Sequence, residues 1–232
     1  MTFVQALRTS PAAIPLRKGR DTLRAAGLRL GIPRASDAML EPVRLRSGQA
    51  RPRVSVVIPT VGRETLQLAI DSASWAYEVI VVYDAAEVPA DAPAGVVIYA
   101  TGPTRHWGAE QRCLGISRAT GTHIAFIDDD DVYARNAGNA IIRALSARPS
   151  RVHVFKMRNG DRTYGGHGCV WDGGIGTPMF VVPNDSRLGE WTTRRAGDFD
   201  FIQSTLAGHR RRPRYHEDVV AEIRPESRDD RS

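Results

Sequence analysis

Two cysteines in 232 residues, Cys113 and Cys169, are too few and too far apart for a disulfide framework, a redox pair or a zinc cluster. They are expected to be small core residues of a protein kept in a reducing compartment. No apolar run approaches the roughly eighteen residues that a membrane span needs. The first twenty residues, "MTFVQALRTSPAAIPLRKGR", hold no compact apolar block between a basic start and a cleavage site, so no signal peptide is expected. These absences together predict a cytoplasmic protein. Several phosphate and metal motifs are missing too. There is no Gly-x-x-x-x-Gly-Lys-Ser/Thr loop, no Gly-x-Gly-x-x-Gly after the first strand and no His-Glu-x-x-His. An Asp-x-Asp-x-Asp-Gly loop closed by Glu, the calcium-binding pattern, does not occur either.

Positive charge is also absent from most of the chain. The formal net charge is +6, yet residues 1–53 hold eleven Lys/Arg against three Asp/Glu, a net of +8. The remainder, with 21 against 23, comes to −2. The body thus lacks the global positive field that would steer it to nucleic acid. The first 53 residues read as a basic arm, flexible in part, with "RDTLRAAGLRLGIP" able to form a short amphipathic helix. A peripheral contact with anionic lipid through this arm is one expectation, a solvated arm the other.

What the chain does have begins at Val54. "VSVVIP", "EVIVVYDA", "GVVIYAT" and "HIAFI" are short β-branched or aromatic runs that read as buried strands. Between them, "RETLQLAIDSASWA" and "GAEQRCLGISRATG" carry apolar residues at helical spacing. The alternation predicts an α/β fold with a mostly parallel, Rossmann-like sheet flanked by helices. A further helix from Asn136 to Ala147, strands in "RVHVFKM" and "MFVVP", and a helix in "AGDFDFIQSTLAG" complete a domain over 54–208. Residues 209–232 read as a polar tail. In open sheets of this kind ligands bind outside the carboxyl ends of strands, where Thr60, Asp84 and Asp128–Asp131 all fall.

The four consecutive aspartates after "HIAFI" are the sharpest feature. Along an extended segment, side chains alternate, which sends Asp128 and Asp130 one way and Asp129 and Asp131 the other. Unneutralised carboxylates this close raise one another's pKa, and a hard divalent cation removes that cost. A solvated acidic loop is the plainer reading. The apolar run before the acids and their place at the sheet's carboxyl edge favour the cation.

The ordered set "VSVVIPTVGR", "EVIVVYDA", "RCLGISRATGTHIAFIDDDD", "GGIGTPMFVVPN" and "GDFDF" resembles the family 2 glycosyltransferases of the GT-A fold. The resemblance spans roughly residues 54–205. It implies an inverting enzyme, dependent on Mg²⁺ or Mn²⁺, that moves a sugar from a nucleotide diphosphate to an acceptor hydroxyl. The family's commonest carrier is uridine diphosphate, and its acceptors are glycans or lipid-linked sugars. Pro59, Thr60 and Arg63 would then lie against the nucleotide base, and Asp84 would accept a hydrogen bond from it. Arg112 would contribute to nucleotide binding, with Cys113 standing where the family usually has Asn. Asp128 would lie near the ribose and Asp130 on the metal, with Asp129 as the fallback should the register slip by one.

Asp198 matches the general base, although Gly197 replaces the usual Glu and Asp200 is a rival. Gly174, Gly176 and Thr177 would border the acceptor. Each of these also has a structural reading: Asp198 as a helix cap, the glycines as positive-φ turns. Trp191 is a candidate sugar-stacking ring or, equally, a cover for the core. Arg214 and His216 are weaker candidates for reaching the diphosphate. Two alternatives stay open: a sugar-phosphate nucleotidyltransferase, and a binding module that keeps the scaffold without catalysis.

Overall fold

The computed structural model describes residues 51–104, 106–165 and 168–223. Almost all of the expected N-terminal arm and the end of the expected C-terminal tail lie outside the described residues. Strand β1 (Val54–Thr60) leads through α1 (Leu66–Ser72) to β2 (Glu78–Tyr83) and β3 (Val97–Ala100). Helix α2 (Ala109–Arg118) returns the chain to β4 (His123–Phe126), which is followed by β5 (Asp131–Tyr133) and α3 (Ala137–Ala147). Then come β6 (His153–Asn159), β7 (Arg162–Tyr164), β8 (Phe180–Pro183), α4 (Gly197–Gly208) and β9 (Arg214–Ile223).

The nine strands of the described residues form one sheet, in the order β3-β2-β1-β4-β8-β6-β9-β5, with β7 paired to β6. The first four strands in that order are mutually parallel. Antiparallel β8 then joins β4 to β6, and β9 lies parallel to β6 and antiparallel to β5. The expected helix-flanked parallel sheet is therefore present, extended on one side by antiparallel partners. Chain order reverses between β1 and β4, the kind of switch point outside which ligands bind in open α/β sheets.

The two faces of the sheet build separate cores because strand side chains alternate. Val54, Val56 and Ile58 of β1, with Ala125 and Ile127, pack among the buried side chains of α1 and α3. Val57, Ile124 and Phe126 point the other way, into a cluster that includes Phe180, Trp191, Phe201 and Ile202. Phe126 meets Trp191 edge to face at 5.2 Å and Phe201 at 5.5 Å between ring centroids. With both faces covered, all seven β1 residues are buried, hence their continuous apolar run.

Two expectations need correction here. Residues 214–223 are a ten-residue strand inside the sheet rather than part of a polar tail. Their charged residues share the strand with Val220 and Ala221, which are completely buried. Both cysteines are free and exposed rather than core residues. Among the described residues, no helix is long and apolar enough to cross a membrane.

Candidate active site

The site forms where β1, β2 and β4 end. The aspartate run does not stay extended after β4: the Asp131 N–H donates to the Asp128 carbonyl at 3.2 Å, closing a turn into β5. The expected pairing is kept all the same, with Asp128 and Asp130 half-buried and Asp129 and Asp131 buried. Asp129 points inward and is 5% exposed. Its Oδ2 accepts from the Thr60 hydroxyl at 2.6 Å and the Val61 N–H at 3.2 Å, while Arg63 Nε donates to Oδ1 at 2.9 Å. Thr65 closes the arrangement by donating to the Asp129 carbonyl at 2.7 Å. A buried carboxylate needs this many donors, because desolvation would otherwise favour its neutral form.

Asp129, the fallback should the register slip by one, accordingly organises the β1–α1 loop. Thr60 and Pro59 are buried framework beneath the site. The guanidinium of Arg63 is held over the acids, and Asp129, Asp130 and Asp128 all favour its charge.

Asp84 arrives beside Thr60, its N–H donating to the Thr60 carbonyl at 2.8 Å. Its Oδ1 accepts the Thr104 N–H at 2.5 Å and the Thr104 hydroxyl at 3.1 Å. Gln111 from α2 steadies that loop through Thr101 and Thr104.

Arg112 holds the opposite wall. It is 5% exposed, pairs with Asp128, and donates to the Trp107 carbonyl at 2.7 Å. Its guanidinium also lies 4.7 Å from the centroid of Trp191. Gly108 makes this position available: its φ is +78°, and a Cβ there would lie 2.6 Å from Arg112 Nη1. A side chain at 108 would be strained and would displace the arginine. Cys113, at the family's usual Asn, lies within hydrogen-bond reach of the Trp191 main chain.

The first turn of α4 carries the carboxylates expected to act on the acceptor. Asp198 is half-buried in the first helical turn, its Oδ1 accepting the Phe199 N–H at 2.8 Å. It is therefore not the helix cap, a position held by Ala196. Burial raises the pKa of its carboxyl above the usual range, with nearby Asp128 adding to the rise and Arg112 opposing it. Asp198 thus shares one electrostatic environment with the β4 tip. Asp200 is different. Arg194 grips both of its oxygens, at 2.8 and 2.5 Å, and the Thr192 hydroxyl adds a further bond. These donors lower its pKa, so Asp200 serves as a latch for the loop. Gly197 departs from the family's Glu for a steric reason visible here: a Cβ would lie 2.7 Å from the Thr192 carbonyl oxygen.

The acceptor-side expectations fare unevenly. Trp191 is 9% exposed, with Phe201 stacked on it at 4.7 Å. With Arg112 also against it, Trp191 is a core ring and offers no face to a sugar. Gly174 and Gly176 do not have positive φ; their lack of a side chain admits Trp171 and Met157, which a Cβ would meet at 1.8 and 2.7 Å. Thr177 is buried in a 3-10 turn over Thr177–Met179. Arg214 pairs in register with His153 at the start of β6, and His216 stacks on Phe155 at 4.5 Å. Arg214 thus lies at the amino edge of the sheet, away from the acids, and neither residue reaches a diphosphate there.

One aromatic at the site went unnoticed in the sequence. Trp107 has φ of +54° and is 66% exposed, and Arg195 lies 5.8 Å from its centroid. Only its place beside Gly108, ahead of α2, could have signalled it.

The residues fit a divalent ion in one particular way. Among the described residues, no three His, Cys, Asp or Glu side chains converge as a ready metal cage. Half-buried Asp128 and Asp130 at the sheet's carboxyl edge instead match the habit of Mg²⁺, which takes one or two carboxylates and completes its shell with phosphate and water.

A parallel α/β sheet with acids at its switch point and a carboxylate-bearing loop across from them defines a GT-A-type transferase fold. The description "Glycosyl transferase family 2" matches residues 55–187, more than half of the chain, and the chain belongs to that family. Solved structures of S. aureus TarS show the same fold. A 1–349 fragment aligns with a TM-score of 0.58 at 14% identity, covering 74% of this chain and 60% of that one. Longer TarS aligns at 0.59 and 13%, covering 74% and 36%. The fragment has also been solved with UDP-GlcNAc, aligning at 0.54 and 14% and covering 74% and 58%. This chain thus spans less than two thirds of each of these TarS chains. No curated protein sequence matches it.

Proposed function

We propose that the protein is an inverting glycosyltransferase that uses a nucleoside-diphosphate sugar, with Asp198 as the general base. One observation carries the reading: of the two carboxylates in the first turn of α4, Asp200 is held by Arg194, whereas Asp198 bonds to the Phe199 N–H and feels the charges of Asp128 and Arg112. An acceptor hydroxyl must lose its proton as it attacks the anomeric carbon, and a carboxylate of raised pKa takes it more readily. Asp200 and Arg194 hold the loop so that this carboxyl stays in place. Arg63 and Arg112 would supply fixed positive charge on either side of the diphosphate, and Asp84 would receive the base. Asp130, with Asp128, would hold Mg²⁺ or Mn²⁺, which when bound neutralises charge on the departing nucleotide. TarS bound to UDP-GlcNAc supports a UDP-sugar as donor. The exposed ring of Trp107 takes the stacking role that Trp191 cannot, offering an apolar face to a pyranose at the mouth of the site.

The test separates binding from chemistry. Asp198→Asn is expected to bind UDP-sugar as the parent does and to lower transfer by about 10²–10⁴-fold. Asp200→Asn, which only loosens the latch, is expected to cost far less. Equal losses in the two variants, or near-parental transfer by Asp198→Asn in a radiolabelled-sugar assay, would refute the assignment.

A further inference from the structure

The amino edge of the sheet, opposite the proposed donor site, holds a second constellation. Pro183 at the end of β8 pairs with His123 at the start of β4, so the segment after β8 lies at the far end of the strand that delivers the aspartates. Here a cavity of about 410 Å³ is lined by Ser150, Arg187, Gly208, His209, Arg210 and Arg211. Three separate segments meet to make it. The Gly208 backbone packs against Arg187, since a Cβ at 208 would lie 2.8 Å from the Arg187 carbonyl oxygen. The Arg214 N–H donates to the Val152 carbonyl at 2.8 Å, bringing the segment after α4 beside the one before β6.

The lining is cationic in a domain whose sequence from residue 54 onward is slightly acidic. Arg210, Arg211 and Arg187 are exposed, and exposed Arg148, Arg212 and Arg214 lie in the same segments. Asp185 lies beside it, and Arg187 neutralises that carboxylate through two side-chain bonds and a backbone N–H at 2.9 Å. His209 is 5% exposed, and its Nε2 has no hydrogen-bond partner, the nearest carboxylate oxygen being 3.8 Å away. A buried ring nitrogen left unpaired costs free energy unless a ligand or water satisfies it. Arginine forks around such a nitrogen match the oxygens of a phosphate, which accepts several charge-assisted bonds at once.

We infer that this cavity binds a phosphate-bearing group, with Arg210 and Arg211 as its principal cationic contacts and His209 at its floor. The group is a phosphomonoester or phosphodiester, carried either by a soluble molecule or by a lipid headgroup. It is independent of the donor site, which the aspartate turn occupies at the other end of β4.

The full-length protein is titrated with inorganic phosphate by calorimetry in EDTA, which keeps divalent ions from the aspartates. Saturable binding is expected for the parent and for Asp130→Ala, weakened about tenfold or more in Arg210→Ala/Arg211→Ala. Both arginines are exposed, so the double variant is expected to keep the parental melting temperature. Sedimentation with vesicles of phosphatidylcholine and phosphatidic acid then identifies the carrier. Weaker vesicle binding by the double variant assigns a headgroup, and unchanged vesicle binding with lost phosphate binding assigns a soluble phosphate. Absence of saturable phosphate binding, equal binding by parent and double variant, or loss in Asp130→Ala alone overturns the inference.

Discussion

At the scale of single residues, chemically identical side chains part company through their surroundings. Asp128, Asp129 and Asp130 are adjacent carboxylates, yet Asp129 is spent on Thr60, Val61 and Arg63 while Asp128 faces Arg112. Asp198 and Asp200 differ in the same way, one raised in pKa by burial and the other lowered by Arg194. A carboxyl whose folded pKa is raised opposes folding once pH exceeds its unfolded value, because the folded state disfavours the charge. Asp198→Asn is therefore expected to melt at the parental temperature or above it at pH 7, even as transfer collapses. A lower melting temperature would mean that the carboxylate contributes to stability. Trp107 tells a similar story in backbone terms. A bulky residue at positive φ costs on the order of 1 kcal/mol or more, and this one is exposed with little packing to offset it. Trp107→Gly is expected to leave stability unchanged or improved, relief of strain offsetting the lost Arg195 contact, while sugar transfer falls. Calorimetric melting with a parallel activity assay checks both halves.

Elements are placed by close approach as much as by periodicity. Helix α2 can deliver Arg112 and Gln111 to the site only because Gly115 lets it settle onto β1, where a Cβ would lie 2.3 Å from Val57 Cγ1. Gly115→Ala is expected to cost about 1–3 kcal/mol in urea denaturation, the usual range for overpacking, and to weaken nucleotide-sugar binding as Arg112 shifts. Strand β9 shows the converse. "RYHEDVVAEI" carries enough charge to read as a tail, and only its neighbours β6 and β5 supply the hydrogen-bonding edges that make it a strand. Its pairing also explains why Arg214 and His216 stand far from the acids.

Over the whole molecule, two buried histidines tie the α3–β6 connection to the sheet. His153 Nε2 must donate to the Arg148 carbonyl at 2.9 Å, since a carbonyl only accepts, so its Nδ1 is the acceptor for His216 Nε2. His123 Nε2 likewise donates to the Pro149 carbonyl at 2.7 Å. Burial lowers the pKa of both, that of His153 to about 4. The unfolded chain, with histidine near 6.5, therefore binds protons that the folded one refuses, and stability is lost as pH falls from about 6.5 toward 4. The loss from His153 is on the order of 2 kcal/mol at pH 5. Urea midpoints at pH 7.5 and 5 check it, and His153→Gln is expected to lose less on acidification. An equal loss in that variant would place the titration elsewhere.

Much of this was legible beforehand because strands buried on both faces must read as continuous apolar runs. "VSVVIP" and "HIAFI" could be little else, and the acids following the second had to fall at a carboxyl edge. The order of such runs, with the acids after β4 and the later Asp198 in "GDFDF", sufficed to indicate the family. Individual roles were not legible. Whether Asp129 or Asp130 faces inward depends on a turn closed by one backbone hydrogen bond, and whether Trp191 or Trp107 is buried depends on Phe126 and Phe201 from distant segments. Local sequence therefore determined the elements and the kinds of chemistry available, since periodicity and side-chain type are local properties. The tertiary structure alone decided which of the adjacent acids turns inward, which ring is open and where the arginines gather, because these depend on residues far apart in the chain.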